Sequence, residues 1–390
     1  MSKEEAYRVL QIMENPESRL DSIDALRGFD MLFIMGLAAV IEQLCVALGF
    51  GKGCWLAQQM HHPPWIGLTH HDTIFPLFIF IAGLSFPFSM AKQLERGRTK
   101  SQIAWRSLRR LAALALLGLV CERYFMGEPP RLGNVLTRIG ISWACASWMF
   151  LAFRAKTRAA IAAGIILGYW AINLFVPAPG FTSADVFTPQ GNIACWLDWT
   201  LLRPLGRISP GTPELPFDNQ GLLSTFPATV TAMLGMFTGE FVRWAKDRVS
   251  AARQTAVLFA AAAVLVAAGC FIAFGCGLWS FPISKPLWSP SFTLVVGGYS
   301  VAMFALFHWL IDLKGWWRNT LFLRVVGLNA ITIYIAQPLL SLGNTGKMLF
   351  GRFAGLFPDR LSGLAMALCY LAMCWAMLWF LHKRKIYLKV

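Results

Sequence analysis

Charge is scarce in this chain. Of its 390 residues, 14% are Asp, Glu, Lys or Arg, where soluble domains carry about a quarter. That shortage, beside 56% hydrophobic residues and 16 tryptophans, excludes an ordinary soluble globule and predicts an integral membrane protein. Paired cysteines are also missing. The nine cysteines are scattered without a C-x-x-C pair, most of them in apolar runs where a thiol packs as a small hydrophobe. Neither a zinc site nor a disulfide framework is indicated, although Cys54, Cys195 and Cys276 fall in or near expected outer loops, where they could pair. No G-x-x-x-x-G-K-[ST] loop, G-x-G-x-x-G fingerprint or G-x-S-x-G elbow occurs, which disfavours ATP hydrolysis, a Rossmann cofactor and serine-hydrolase chemistry. Acidic residues number only 20 against 35 basic ones. In a membrane protein that excess belongs to cytoplasmic loops and does not imply nucleic acid.

What is present is a series of apolar runs. Hydropathy predicts an all-α polytopic bundle of about ten transmembrane helices, near 28–49, 72–91, 108–125, 134–153, 159–177, 222–243, 255–275, 291–312, 322–342 and 362–382. Basic clusters orient them: Lys92 to Arg110, Arg154 to Arg158, Arg243 to Arg253, and Lys383 to Lys389 all fall on one side. The positive-inside rule then makes both termini cytoplasmic. Residues 1–27 are polar, lack a signal-peptide pattern and are expected to form a cytoplasmic segment. Residues 28–382 form the membrane domain, with a long outer loop near 178–221, and 383–390 a basic tail. That loop is rich in Pro, Gly, Trp and Asp. Its aromatics argue against disorder and suit either an interfacial belt or stacking against a sugar.

Four of the six histidines lie in one stretch, His61-His62 and His70-His71, with Asp72 directly following. Behind them runs an uncharged, Phe-rich segment of about 18 residues, long enough to span a bilayer. On the predicted topology the cluster faces outward. The bland reading is an interfacial loop. The functional one is proton or acyl-group handling at the mouth of a membrane helix. Adjacent histidines point apart on a helix, so a metal site is not expected.

Other polar groups sit where lipid disfavours them. Asp24 and Arg27 are spaced to pair on one helix face. Arg138 needs a polar cavity or a partner, and Glu42 in the first span is a candidate. Asn329, with Tyr334 and Gln337, lines a polar stripe that interhelical hydrogen bonding also explains.

Seven short blocks in order resemble the heparan-α-glucosaminide N-acetyltransferase family. They are R-L-x-S-x-D-A-L-R-G-F-D-M at Arg19–Met31, H-x-x-W-x-G-L-T-x-x-D-x-x-F-P-x-F at His62–Phe78 and R-L-G-x-V-L-x-R-I-G at Arg131–Gly140. F-D-x-x-G-L-L-S-T follows at Phe217–Thr225, then K-x-L-W-S at Lys285–Ser289, D-x-K-G at Asp312–Gly315 and G-x-N-A at Gly327–Ala330. The resemblance implies transfer of acetyl from cytoplasmic acetyl-CoA to a glucosamine amine on the far side. It places the family's active-site histidine at His62 and its aspartate at Asp72. His61, His70 and His71 lack counterparts there. An asparagine of the family's first span has none in this chain, and a histidine of its penultimate span appears here as Gln337. These departures bear on the acceptor more than on the reaction. A bacterial inner (plasma) membrane protein is implied, since the animal enzyme's long amino-terminal luminal segment has no counterpart.

The chemistry of the residues agrees with that implication. A neutral imidazole, with a reference pKa of about 6.5, suits the proton of an attacking amine, or could itself carry the acyl group. Asp72 would fix its tautomer. Arg27, Arg109, Arg110 and Arg138 are candidates for the polyanionic donor. His61, His71, Asp218, Asn219 and Asn329 are candidates for acceptor contacts. Acetyl-CoA and an amino sugar are the expected partners, with membrane lipid around the chain. No nucleic acid or metal is expected, and a homodimer is compatible with the sequence. The rival reading is an amino-sugar permease without covalent chemistry, which paired broken helices would favour. O-acylation of a surface polysaccharide is a weaker third.

Overall fold

The computed structural model describes residues 20–125, 127, 131–205, 212, 216–316 and 319–388. Most of the expected amino-terminal segment, the end of the basic tail and parts of the long loop thus lie outside the described residues. Among the described residues every regular element is helical, apart from an isolated bridge between Pro177 and Asn192. The chain is an all-helical integral membrane protein.

Among the described residues seven helices are long and apolar enough to cross a bilayer: α1 (Asp21–Ala47), α2 (His70–Glu95), α4 (Val135–Ala152), α5 (Ala155–Phe175), α7 (Ala251–Gly275), α8 (Pro290–Leu313) and α12 (Asp359–Lys383). A further pair, α9 (Leu321–Leu328) and α10 (Ala330–Leu339), is bent by 66° at Asn329 and makes an eighth if taken as one span. The expected runs near 108–125 and 222–243 also fall on helices, α3 (Lys100–Val120) and α6 (Thr225–Ala245). These two are more polar, α3 through its arginines and α6 through its threonines and Glu240. Hydropathy did not anticipate α11 (Leu342–Ala354), whose 13 residues span only about 20 Å at 1.5 Å per residue.

Small residues set the closest helix contacts, as packing in lipid favours. A Cβ at Gly83 of α2 would collide with the Ala232 carbonyl of α6, and one at Gly235 with the Phe80 carbonyl of α2. Gly239 meets the Leu84 carbonyl the same way. The backbones of α2 and α6 therefore touch directly, and α2 runs through the middle of the buried core with Phe80, Ile81 and Leu84 fully covered.

α1 is not regular throughout. It widens to a π-turn at Phe33–Leu37, where Gly36 has φ +144° and packs on Tyr370. Such π-bulges recur at functional sites.

Candidate functional site

Thr69 caps α2, and that cap places Asp72. The Thr69 N–H donates to Asp72 Oδ2 at 3.1 Å, and the Thr69 hydroxyl reaches the His61 carbonyl at 2.7 Å. Asp72 thus spends one oxygen on the helix end and keeps Oδ1 for His62, whose Nδ1 lies 2.7 Å away. The carboxylate is 0% exposed and the His62 side chain 49% exposed. An ionised carboxylate only accepts hydrogen bonds, so Nδ1 holds the ring proton and Nε2 keeps its lone pair. The two residues expected to act together are in contact.

A third group joins them that sequence reasoning did not single out. Lys285 Nζ lies 3.2 Å from Nδ1 and 3.3 Å from Nε2 of His62, and 3.4 Å from Asp72 Oδ1. Its loop is tightly built. Trp288 N–H donates to the Lys285 carbonyl at 2.9 Å, Ser289 N–H to the Ser284 carbonyl at 3.0 Å, and Ser284 N–H to Ser289 Oγ at 3.1 Å. Trp288 has φ +49°, a region that costs a non-glycine residue about 1–3 kcal/mol. Its indole is fully buried, donates to Thr231 Oγ1 at 3.2 Å and lies under the Arg138 guanidinium at 5.1 Å. These contacts hold the strained turn. Burial pushes the Lys285 ammonium below its ordinary range, opposed by the Asp72 carboxylate and reinforced by the Arg138 charge. The signal for Lys285 was the K-x-L-W-S block itself, whose lysine was quoted but not assigned chemistry.

The other histidines divide. His71 packs its ring 4.5 Å from that of His62, and its buried Nδ1 has no partner. His70 turns inward to Phe33 at 4.4 Å and the Tyr299 hydroxyl at 3.4 Å. His61 leads outward to Glu42, 3.0 Å from Nε2, and Lys52 holds the other Glu42 oxygen at 2.8 Å. Glu42 is therefore not the partner of Arg138. The segment 216–224 folds over Arg138, which donates to the Gly221 carbonyl at 2.9 Å, the Asn219 carbonyl at 3.3 Å and Ser224 Oγ. Carbonyls replace the carboxylate that hydropathy suggested.

Asp218 accepts from Arg131 at 3.1 Å, and Arg131 also reaches Glu122 at 2.8 Å. Asn329 donates to the Val325 carbonyl at 3.0 Å at the bend between α9 and α10, with Oδ1 buried and unpartnered. Close to Asp218 and Arg138, burial raises the Asp198 carboxyl to about 7, while the Leu222 N–H, 2.8 Å from Oδ1, pulls the other way. All nine cysteines are free, so Cys54, Cys195 and Cys276 do not pair. Among the described residues no three His, Cys, Asp or Glu side chains gather to hold a metal.

At the far end of α2 the chemistry changes sign. A cavity of about 730 Å³ is lined by Lys92, Arg96, Arg98, Arg106, Arg109 and Arg110, together with Phe86 and Trp143. Arg110 stacks on Trp143 at 4.4 Å, and its buried Nε has no partner. Arg27 pairs with Asp24 at 3.2 Å, as its spacing predicted, and reaches Ser85 Oγ of α2 at 3.4 Å. Arg138 does not line this cavity. Between Asp72 and Phe86 the helix rises about 21 Å. A basic end and a histidine end are thus joined by one buried helix.

Known proteins resemble this chain over most of its length. It is 26% identical over 379 residues to the heparan-alpha-glucosaminide N-acetyltransferase of Mus musculus, covering 83% of this chain and 55% of the relative. Against the protein of that name from Homo sapiens it is 26% identical over 372 residues, covering 82% and 52%. The chain spans about half the length of these curated relatives. Residues 19–270 match the family described as heparan-alpha-glucosaminide N-acetyltransferase, catalytic, and the chain belongs to that family.

Proposed function

We propose that the protein is a membrane acetyltransferase that moves acetyl from cytoplasmic acetyl-CoA to the amine of a glucosamine-type sugar outside a bacterial inner membrane. The observation that carries it is the His62–Asp72 pair, with Nδ1 2.7 Å from the carboxylate, at one end of a helix whose other end borders a basic cavity. Family membership supports the reaction class. In this reading α3, α6 and the α9–α10 pair join the seven apolar helices as ten spans, and both termini are cytoplasmic. Residues 1–27 and 383–390 then flank the membrane domain of 28–382, and the loop near 178–221 lies outside.

The donor's phosphates suit Arg109 and Arg110, with Arg27 one layer deeper, because guanidinium groups bind phosphate oxygens with charge-assisted bonds. The acyl end of the donor must then travel along α2 to His62. There the acceptor nitrogen attacks the thioester carbonyl carbon. The N–C bond forms, the C–S bond breaks, and the amine proton passes to His62 Nε2 and on to the departing sulfur. A positioned general base contributes about 10²–10⁴-fold. His61 and His71, beside His62, are the nearest candidates for acceptor contacts.

The test is transfer of labelled acetyl from acetyl-CoA to glucosamine-type acceptors by purified protein in detergent or liposomes. His62→Ala should abolish transfer while the protein melts as before. Full activity in that variant would remove His62 from the reaction.

One observation favours the permease reading, the 66° break at Asn329. Transporters with midplane sites use such breaks in corresponding positions of two repeats, whereas among the described residues this is the one bent pair of spanning character. Sugar uptake into proteoliposomes without acetyl-CoA would support that reading.

A further inference from the structure

Lys285 is placed with more care than a lysine serving solubility or topology requires. Its side chain is 19% exposed, and its loop is closed by three short-range hydrogen bonds around a tryptophan of positive φ. A second tie fixes it relative to the histidine loop, since Gly67 N–H donates to the Ile283 carbonyl at 2.8 Å. Strain at a non-glycine residue persists only when the surroundings over-determine it, and it clusters where geometry serves function.

The distances also say where the ammonium sits. It is nearly equidistant from the two ring nitrogens of His62. An in-plane approach to one lone pair would leave the other nitrogen much further away. Nζ therefore stands off the in-plane axis of the Nε2 lone pair, beside both nitrogens. Asp72 Oδ1, the neighbouring negative atom, is itself engaged by His62 Nδ1. Lys285 carries three donors, one of which is directed at Asp72 Oδ1 at 3.4 Å.

We propose that Lys285 is a catalytic residue of the acyl transfer, whose ammonium stabilises the oxyanion of the tetrahedral intermediate. The proposal rests on the acetyltransferase reading above. When a nitrogen hydrogen-bonded to Nε2 attacks the thioester, the carbonyl oxygen attached to the same carbon lies within reach of an ammonium 3.3 Å from Nε2. As the N–C bond forms, the carbonyl π electrons move onto that oxygen, and the Lys285 N–H groups meet the new charge. When the C–S bond breaks, the electrons return, the proton held by His62 goes to sulfur, and Lys285 ends the cycle with its protons unchanged. Preorganised donors aimed at developing charge are among the strongest catalytic devices, since they need no reorganisation during reaction.

The experiment compares wild type with Lys285→Met and Lys285→Arg in steady-state acetyl transfer to glucosamine. Thermal melting with and without acetyl-CoA is measured alongside. Lys285→Met should lower kcat by about 10²–10³-fold, the effect of removing one oxyanion donor. Acceptor KM, melting temperature and the acetyl-CoA-induced shift should change little. Lys285→Arg should recover at least tenfold of the lost kcat, because a cation with donors is restored; a purely structural lysine would show its loss in melting. A Lys285→Met enzyme with kcat within threefold of wild type overturns the proposal and leaves the acetyltransferase reading intact. Wild-type protein that transfers no acetyl overturns that reading itself.

Discussion

Gly67 donates its backbone N–H to the Ile283 carbonyl at 2.8 Å, so the loop that carries His62 and the loop that carries Lys285 form one hydrogen-bonded unit. The two segments lie more than 200 residues apart in sequence, and this bond fixes their relative height at the mouth of α2.

Gly67→Ala should loosen that unit. Gly67 has φ +131°, and an added Cβ would press on Pro63 at 3.2 Å. A backbone strained this way costs about 1–3 kcal/mol. The expected outcome is a lower melting temperature together with a fall in kcat that exceeds the change in acceptor KM, measured by thermal unfolding and steady-state kinetics.

Asp72→Asn should cost far more activity than stability. The amide retains an oxygen to accept from the Thr69 N–H, so the helix cap survives. Its NH2 group, however, can donate to Nδ1 and move the ring proton to Nε2, the wrong tautomer for a base. A loss of about 10²–10⁴-fold in kcat is expected, with a near-native melting curve. Equal losses in both measurements would assign Asp72 to the cap alone.

Stability should fall with pH through Asp198. Burial raises this carboxyl to about 7 in the folded protein, while an unfolded aspartate titrates near 3.9. Below about pH 4 both states hold the proton. Between about 4 and 7 the folded state keeps a proton that the unfolded chain has lost, so stability declines as pH rises across that window and levels off above it. Asp198→Asn, which keeps an acceptor for the Leu222 N–H, should flatten the decline. Melting temperatures of both proteins from pH 4 to 8 check this.

The basic cavity should be read by the donor's phosphates. Replacing Arg109 and Arg110 with Gln removes charge-assisted bonds worth about 1.5–3 kcal/mol each, roughly a tenfold to hundredfold loss of acetyl-CoA affinity per arginine. Arg138→Gln, by contrast, should lower the melting temperature and leave donor affinity unchanged, because its partners are carbonyls of residues 219 and 221 and Ser224. Donor titrations monitored by thermal shift separate the two arms.

Much of this arrangement was legible in the sequence because the relevant contacts are local. His62 and Asp72 are ten residues apart and joined through one helix cap, so the histidine cluster marked the place and the family resemblance singled out the pair. The pairing of Asp24 with Arg27 was readable for the same reason, as were the apolar runs. Lys285 was not, because its approach to His62 crosses 223 residues and depends on a strained turn that no local pattern announces. Arg138 failed differently. Burial cost alone demanded a partner, but the loop carbonyls of Asn219 and Gly221 satisfy a guanidinium as a carboxylate does, and hydropathy cannot tell them apart. The bend at Asn329 was hidden because its two arms together are apolar enough to read as one span, and the short α11 because Asn344, Lys347 and Arg352 leave no long apolar run.

The bare contact between α2 and α6 has a mechanical consequence. Where Gly83, Gly235 and Gly239 bring two backbones together, no side chain remains that could rotate aside as a gate. Sliding one helix along the other would drive carbonyl oxygens into Cα atoms. The two helices must move as a single strut, which keeps the histidine end and the basic end at constant separation. Any opening around α2 is left to its other flanks, where side chains can swing.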